Sequence, residues 1–272
     1  MAMNKFYVIT NKSKDVSFNT TLRIQNYIIN RGKQCILADD TNEVPIDVDC
    51  VLVLGGDGTL IRAARELRAL DVPMLGINLG TLGYLTEVEI QNLESAIDQL
   101  LEQDILVEER MMLKGIINGK TEDTALNDIV LTRFGSLHVI CFNIYVNGEL
   151  LNSYQADGVI VSTPTGSTGY NLSAGGPIVE PTASMIVITP ICSHALNTSS
   201  IVLSAEDEII LEVAQGRNGK IEEAGISFDG DRNVEVRTGD RIVIRKAEEK
   251  TKLLKLSKVS FLETLRKKMK GN

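Results

Sequence analysis

The sequence predicts two unlike parts, an α/β N-terminal domain built on a parallel sheet and a β-rich C-terminal domain. Three observations carry the prediction. Short apolar runs alternate with amphipathic stretches of helical period over the first hundred or so residues. Beyond Leu106 the pattern changes to strands of period two separated by tight turns. The last stretch of chain is helical again. The expected domains are residues 1–105, with 252–272 packing back on them, and residues 106–251.

Taken in order, Phe6–Thr10 reads as a strand, and Thr20 to Arg31 as an amphipathic helix ended by Gly32. Cys35–Ala38 and Val51–Leu54 are continuous apolar runs, of the kind buried on both faces of a parallel sheet. Leu60 to Leu70 is helical in pattern, Met74–Asn78 is a strand, and Leu93 to Leu101 is a helix. In the second part, Asn147-Gly148 joins two strands and suits the positive φ values of a type I′ turn. Further strands are expected at Met185–Thr189, Ser200–Leu203, Glu208–Val213, Gly225–Phe228, Val234–Arg237 and Arg241–Lys246, and a helix from Ser260 to Leu265.

A length of 272 residues fits one large domain or two modest ones. The formal net charge of −8 argues against a cationic nucleic-acid face, yet it leaves room for a phosphate held by backbone N–H groups. The N-terminus MAMNKFYVITNKSKD lacks the pattern of a secretory leader, and no apolar run is long enough to span a bilayer. The four cysteines, Cys35, Cys50, Cys141 and Cys192, form no CxxC pair and read as buried thiols. Cytoplasm is the expected compartment, with no nucleic acid and no membrane among the partners. The basic tail Arg266-Lys267-Lys268-Met269-Lys270 reads as cations complementing a helix C-terminus. His138, on an expected strand, has no motif partner and reads as structural or solvated.

A Val/Leu strand runs straight into Gly55-Gly56-Asp57-Gly58-Thr59 and then into a helix. Three glycines permit unusual φ values and let a ligand approach the backbone. The helix start favours phosphate, and Asp57 lies at the carboxyl end of the strand, where open α/β sheets bind ligands. The alternative is a tight turn with Asp57 as a helix cap. The turn is neither a Walker A loop nor a GxGxxG fingerprint. A second constellation, Asp157 to Tyr170 (DGVIVSTPTGSTGY), leaves an apolar strand for a run of small and hydroxyl residues. Such density suits the polar edges of a base or ribose, with Tyr170 as a stacking face; a Ser/Thr/Gly surface loop is the plainer reading.

Together these segments resemble the NAD kinases, which phosphorylate the adenosine 2′-hydroxyl of NAD to make NADP. The matching pieces occur in the family's order: Gly55–Thr59, Gly76 to Leu85 (GINLGTLGYL), Ala125-Leu126-Asn127-Asp128, Asp157–Tyr170 and Thr189 to Leu196 (TPICSHAL). GGDGT alone is shared with diacylglycerol and sphingoid lipid kinases, whereas the Asp157–Tyr170 segment is more specific. A lipid kinase and a nucleotide sensor without turnover are the competing readings. The resemblance implies an NAD kinase-like fold of two domains with the site in the cleft between them. It also implies homodimers or homotetramers in which one subunit contributes to its neighbour's NAD site.

By the same resemblance, Asp57 is the acid–base residue facing the ribose hydroxyl, with Gly56, Gly58 and Thr59 around it. Asn127 helps read adenine, and Asp128, in place of the family's Glu, holds ribose hydroxyls. Thr165, Thr168, Gly169 and Tyr170 lie along the nucleotide, Asp157 lies near the nicotinamide end, and Tyr84 lines the site. Asn78 is either a contact or a turn residue. His194 falls in a matched segment that could serve the fold alone. The substrates implied are NAD and ATP or another phosphoryl donor, with a divalent cation, usually Mg2+, carried by the donor phosphates rather than by a protein cage.

Overall fold

A computed structural model describes residues 3–38, 41, 44–80, 83–102, 105–135, 138–193, 199–257 and 259–270. The chain divides into two compact units, Met1–Arg110 with Glu249–Asn272, and Met111–Glu248.

The first unit opens with β1 (Lys5–Thr10), α1 (Asn19–Ile29), β2 (Gln34–Ala38), β3 (Cys50–Gly55) and α2 (Asp57–Glu66). It continues with β4 (Met74–Asn78), a two-residue β5 (Val88–Glu89), α3 (Leu93–Glu102) and the start of β6 (Leu106–Ile117). The strands lie in the order β2-β1-β3-β4, and every pairing among them is parallel. All residues of β3 and β4 are buried, which is why both read as unbroken apolar runs. Leu52, Leu54 and Ile77 pack in one core with Ile24 and Ile28 of α1 and Leu93 and Ile97 of α3. Each such side chain contributes about 1.5–3 kcal/mol by leaving water.

Among the helices α2 departs furthest from expectation, at both ends. α2 begins at Asp57 rather than Leu60, because Gly56 is extended (φ −127, ψ −173) and its carbonyl already accepts the amides of Thr59 and Leu60 at 3.0 and 3.2 Å. Asp57, Gly58 and Thr59 are therefore its first turn. The helix ends at Glu66, a 3-10 turn covers Arg68–Leu70, and Asp71 reverses the chain at φ 50.

The second unit carries β7 (Thr121–Ala125), β8 (Asp128–Arg133), β9 (Ile140–Val146), β10 (Glu149–Ala156), β11 (Gly158–Ser162) and the short α4 (Tyr170–Ser173). Then come β12 (Met185–Ile191), β13 (Ile201–Ser204), β14 (Ile209–Val213), β15 (Glu223–Phe228), β16 (Arg232–Arg237) and β17 (Arg241–Lys255). One antiparallel sheet runs β13-β12-β11-β8-β15-β16, and a second layer includes β10-β9-β14-β17 and the β6–β7 pair. Alternate residues of the two layers, such as Val159, Val161, Ile186 and Ile226 from one and Phe142, Ile144, Leu211 and Ile244 from the other, form a single core. Asn147 and Gly148 both take positive φ, 50° and 85°, as the hairpin requires.

Two strand features go beyond the sequence expectation. Asn118-Gly119, also at positive φ, turns β6 into β7, so this second Asn-Gly pair carries the same signal as the first. β17 extends nine residues past its expected end at Lys246, its Glu248–Lys252 run staying extended with Thr251 buried and the charged side chains partly or fully exposed. Lys250 and Lys252 pair with Glu109 and Asp71 at 2.7 and 2.6 Å. The strand thus runs on from the second unit into the first, and the chain ends in α5 (Phe261–Met269), whose N-cap Ser260 accepts from the Glu263 amide.

The cysteine expectation holds only in part. Cys35 and Cys50 are buried, and burial pushes the Cys35 thiol up to about 12, but Cys141 is half-buried and Cys192 is exposed at φ 47. All four are free thiols. Among the described residues, no helix is long and apolar enough to cross a membrane.

Candidate functional site

In the first unit, strand β3 delivers Asp57 to the start of α2, and its carboxylate accepts from three backbone amides. Tyr84 N–H donates to Oδ2 at 2.6 Å, and Leu85 and Thr86 N–H donate to Oδ1 at 3.1 and 3.2 Å. Asp57 is thus not the helix cap of the plainer reading, since Gly56 holds that position and the carboxylate points across to residues 84–86. Gly83 makes this approach possible, because a Cβ there would lie 1.8 Å from Asp57 Oδ1.

The glycines of the turn serve a purpose other than unusual φ. None of Gly55, Gly56 or Gly58 has positive φ. A Cβ on Gly55 would strike Thr59 Oγ1 at 2.3 Å, and one on Gly56 would meet Lys14 Nζ at 3.2 Å. Gly58 has nothing within 4 Å of its Cβ position and is exposed, so its backbone is open to a ligand.

A cavity of about 610 Å³ opens beside this turn. Its lining includes Lys12, Lys14 and Arg62 together with Gly56, Gly58 and Thr59, and no carboxylate among the described residues. The loop after β1 is fixed at both ends. Asn11 donates from Nδ2 to Thr59 Oγ1 at 3.1 Å, and Asp15 accepts from the Thr21 amide and hydroxyl at 2.9 and 2.7 Å. Burial works to raise the Asp15 carboxyl, but the Thr21 and Thr20 hydrogen bonds outweigh it and hold the group below its ordinary value. Cations beside a helix start, with no acid among them, make a place for phosphate.

Of the other residues expected here, Asn78 is buried and its Oδ1 accepts the Gly80 amide at 2.9 Å, so it closes a turn. Tyr84 lies against Asp57 through its amide, and Lys268 of α5 stands 4.5 Å from its ring centroid. That contact places one cation of the basic tail on a residue that orients Asp57. Thr81 and Leu82 of the Gly76–Leu85 segment, and His194, lie outside the described residues.

In the second unit, antiparallel pairing of β8 with β11 sets Asp128 opposite Ser162. This brings the Asn127-Asp128 pair beside the Thr163–Gly169 turn. The Thr163 amide donates to the Asn127 carbonyl at 2.8 Å, and Thr163 Oγ1 donates to the Leu126 carbonyl at 2.6 Å. Gly166 is obligatory, since a Cβ there would lie 2.1 Å from the Asn127 carbonyl oxygen. Gly169 lies against the Asn127 side chain, its Cβ position 3.5 Å from Nδ2. Asn127 Oδ1 is buried with no hydrogen-bond partner among the described residues. An orphaned acceptor of this kind costs about 1–3 kcal/mol until a donor arrives. Thr165 is buried, Thr168 is half-buried, and Tyr170 exposes 45% of its surface, leaving a ring face free to stack.

Asp128 is 5% exposed, and burial, with the Asp229 charge second, pushes its carboxyl up to about 7. The folded value exceeds the ordinary 3.8, so the folded state holds the proton more tightly than the unfolded chain does. Stability therefore falls as pH rises from about 4 to about 7 and is level above that. Asp128→Asn should remove the slope, giving a protein equal to the parent near pH 4. At pH 8 it should be more stable by a few kcal/mol, because stability drops by ~1.4 kcal/mol for each pH step between the two values. Thermal melts at pH 4, 6 and 8 check this; parallel curves for parent and variant would refute it.

Asp157 stands apart from this group. It precedes β11, at the opposite end of the strand from Ser162 and Thr163, and its carboxylate pairs with Arg133 at 2.9 Å. Asp229 is a site residue that the sequence expectation lacks. At φ 52 it turns its carboxylate onto the amides of Leu126, Asn127 and Asp128 at 2.8, 2.7 and 3.1 Å, fixing the pair from behind. Its signal is the Asp229-Gly230 pair directly after a strand.

Residues 4–105 match the ATP-NAD kinase N-terminal domain and residues 126–256 the ATP-NAD kinase C-terminal domain. An NAD kinase of Agathobacter rectalis is 50% identical over 99% of both chains. One of Lachnospira eligens is 45% identical over 98% of this chain and all of its own. Among solved structures, an Archaeoglobus fulgidus NAD kinase in complex with ATP matches with a TM-score of 0.81, at 26% identity over 98% of both chains. Yeast NADH kinase complexed with NADH shares the fold, with a TM-score of 0.85 at 22% identity, over all of this chain and 88% of its own. The chain belongs to the NAD kinase family.

Proposed function

We propose that the protein transfers the terminal phosphoryl group of ATP to the adenosine 2′-hydroxyl of NAD, giving NADP. The observation that carries this reading is the Asp57 carboxylate, pinned by three amides beside a cavity lined by cations. Phosphoryl transfer needs positioning and charge stabilisation more than covalent chemistry, and this arrangement offers both. Asp57 accepts the hydroxyl proton as the oxygen attacks. The amides of residues 84–86 hold it in one orientation while it does so. The cations of the cavity receive the donor phosphates.

The second unit supplies the groups that read the nucleotide. Asn127 Oδ1 lacks a donor among the described residues and suits the exocyclic amine of adenine. Asp128 accepts ribose hydroxyls, Thr165 and Thr168 offer hydroxyls, and Tyr170 stacks. The ATP held by the Archaeoglobus fulgidus enzyme and the NADH held by the yeast enzyme both carry the adenosine that these groups suit.

A divalent cation, Mg2+ by family, would ride on the donor phosphates. Among the described residues no cluster of three or more His, Cys, Asp or Glu side chains could hold a metal, and Asp57 is the carboxylate beside the cavity. One carboxylate plus phosphates fits the habits of magnesium, which would neutralise charge on the transferring group. We further propose a cytoplasmic homodimer or homotetramer, the compartment being supported by the free thiols. Purified protein incubated with NAD, ATP and Mg2+ should form NADP; no product under conditions where a reference kinase turns over would overturn the reading.

A further inference from the structure

Lys14 occupies a distinctive place in the first unit. Gly56 follows β3 and Gly80 follows β4, two adjacent parallel strands, and the empty Cβ positions of both glycines face the same Lys14 Nζ, at 3.2 and 3.3 Å. A side chain at either glycine would crowd the ammonium, so the two strand ends together leave a slot for it. The backbone that carries Lys14 is fixed on both sides. The Lys14 amide donates to the Asn11 carbonyl at 2.9 Å, Asn11 is tied to Thr59 in the first turn of α2, and the next residue, Asp15, is locked to α1 through Thr21. Yet Lys14 Nζ makes no hydrogen bond or ion pair within the described residues. Arg62, by contrast, leans toward Glu66 at 4.0 Å.

An ammonium carried on a fixed backbone and seated against Gly56, the residue before Asp57, in a cavity whose described lining lacks carboxylates, is waiting for an anion. From this we infer that Lys14 is the cation that contacts the phosphoryl group in transit. The inference rests on the kinase reading above and adds a residue to it. In the step, the 2′-oxygen of NAD forms a bond to the γ-phosphorus as the bond from that phosphorus to the β,γ-bridging oxygen breaks. The hydroxyl proton passes to Asp57, and ADP leaves with the electron pair of the broken bond. Lys14 keeps its protons and stabilises charge on the non-bridging oxygens.

The test uses full-length protein with Lys14→Met and Lys14→Arg, assayed for NADP formation with NAD, ATP and Mg2+ varied in turn. Lys14→Met should lower kcat at saturating ATP by about 100-fold or more. KM for NAD and the melting temperature should stay near the parent values, because Lys14 is exposed and its ammonium holds no other side chain in place among the described residues. Lys14→Arg should recover a substantial part of kcat, since the charge is kept. A Lys14→Met enzyme with kcat within threefold of the parent overturns the inference alone. So does a loss accompanied by an equal rise in KM for NAD or by a fall in melting temperature, which marks a structural role. A parent protein that forms no NADP overturns the kinase reading itself.

Discussion

Asp57→Asn is expected to lower kcat for NADP formation by about 10²–10⁴-fold, the range for a positioned general base, while NAD still binds. The local geometry sharpens the prediction. Both carboxylate oxygens accept amide protons, Oδ2 from Tyr84 and Oδ1 from Leu85 and Thr86. An asparagine has one acceptor oxygen and one amine, and the amine faces at least one N–H as donor to donor. The substitution therefore removes the proton acceptor and also loosens the 84–86 segment. Steady-state kinetics paired with calorimetric titration of NAD separate the two effects. Turnover within tenfold of the parent would show that Asp57 is not the base.

The second large effect is expected from a residue that carries no chemistry. A Cβ on Gly83 would sit 1.8 Å from Asp57 Oδ1, 2.5 Å from Cγ and 2.7 Å from Oδ2. No rotation of a methyl group relieves such overlap, so in Gly83→Ala either the carboxylate or the 83–86 backbone must move. A displacement of about 1 Å at a reacting group costs on the order of 100-fold in rate. Gly83→Ala should therefore lose activity nearly as fully as Asp57→Asn. It should also lower the melting temperature, because overpacking typically costs about 1–3 kcal/mol. Gly58→Ala is the instructive contrast, having open space at its Cβ and no structural penalty in the ligand-free protein. A Gly83→Ala enzyme with parental kcat would show that Asp57 does not need its observed seat.

Much of the fold is legible in the sequence because its signals are local. Val51–Leu54 and Met74–Asn78 announce buried parallel strands by composition alone, and Asn147-Gly148 announces its hairpin by backbone preference. The start of α2 is not, because Gly58 in its first turn and Gly56 just before it dilute helical propensity there, whereas hydrogen bonds to the Gly56 carbonyl decide the matter. The full length of β17 is hidden too, because Glu248–Lys252 looks like a solvated charge run, and only pairing with neighbouring strands makes it one element.

The candidate site is legible mainly through motif likeness, for a physical reason. Asn127 and Thr163 are separated by a long stretch of chain and meet only through the β8–β11 register. Lys14 gives even less away: in Lys12-Ser13-Lys14 it looks like any surface lysine. Its position between Gly56 and Gly80 arises from three strands lying side by side. Asp229 is hidden in the same way, its role set by which strand β15 pairs with.

β17 also dictates an order of assembly on the ribosome. In the first unit it pairs with β4 at Leu253 and Met74, and the unit is completed by Glu249–Asn272. Translation makes those residues only after the whole of Met111–Glu248, an interval of roughly seven to thirty seconds at usual elongation rates. During that time β5 guards one end of β4, at Ile77 and Asn78, and the edge at Met74 stays open. The nascent N-terminal sheet is thus born with an apolar seam that waits for β17 to close it.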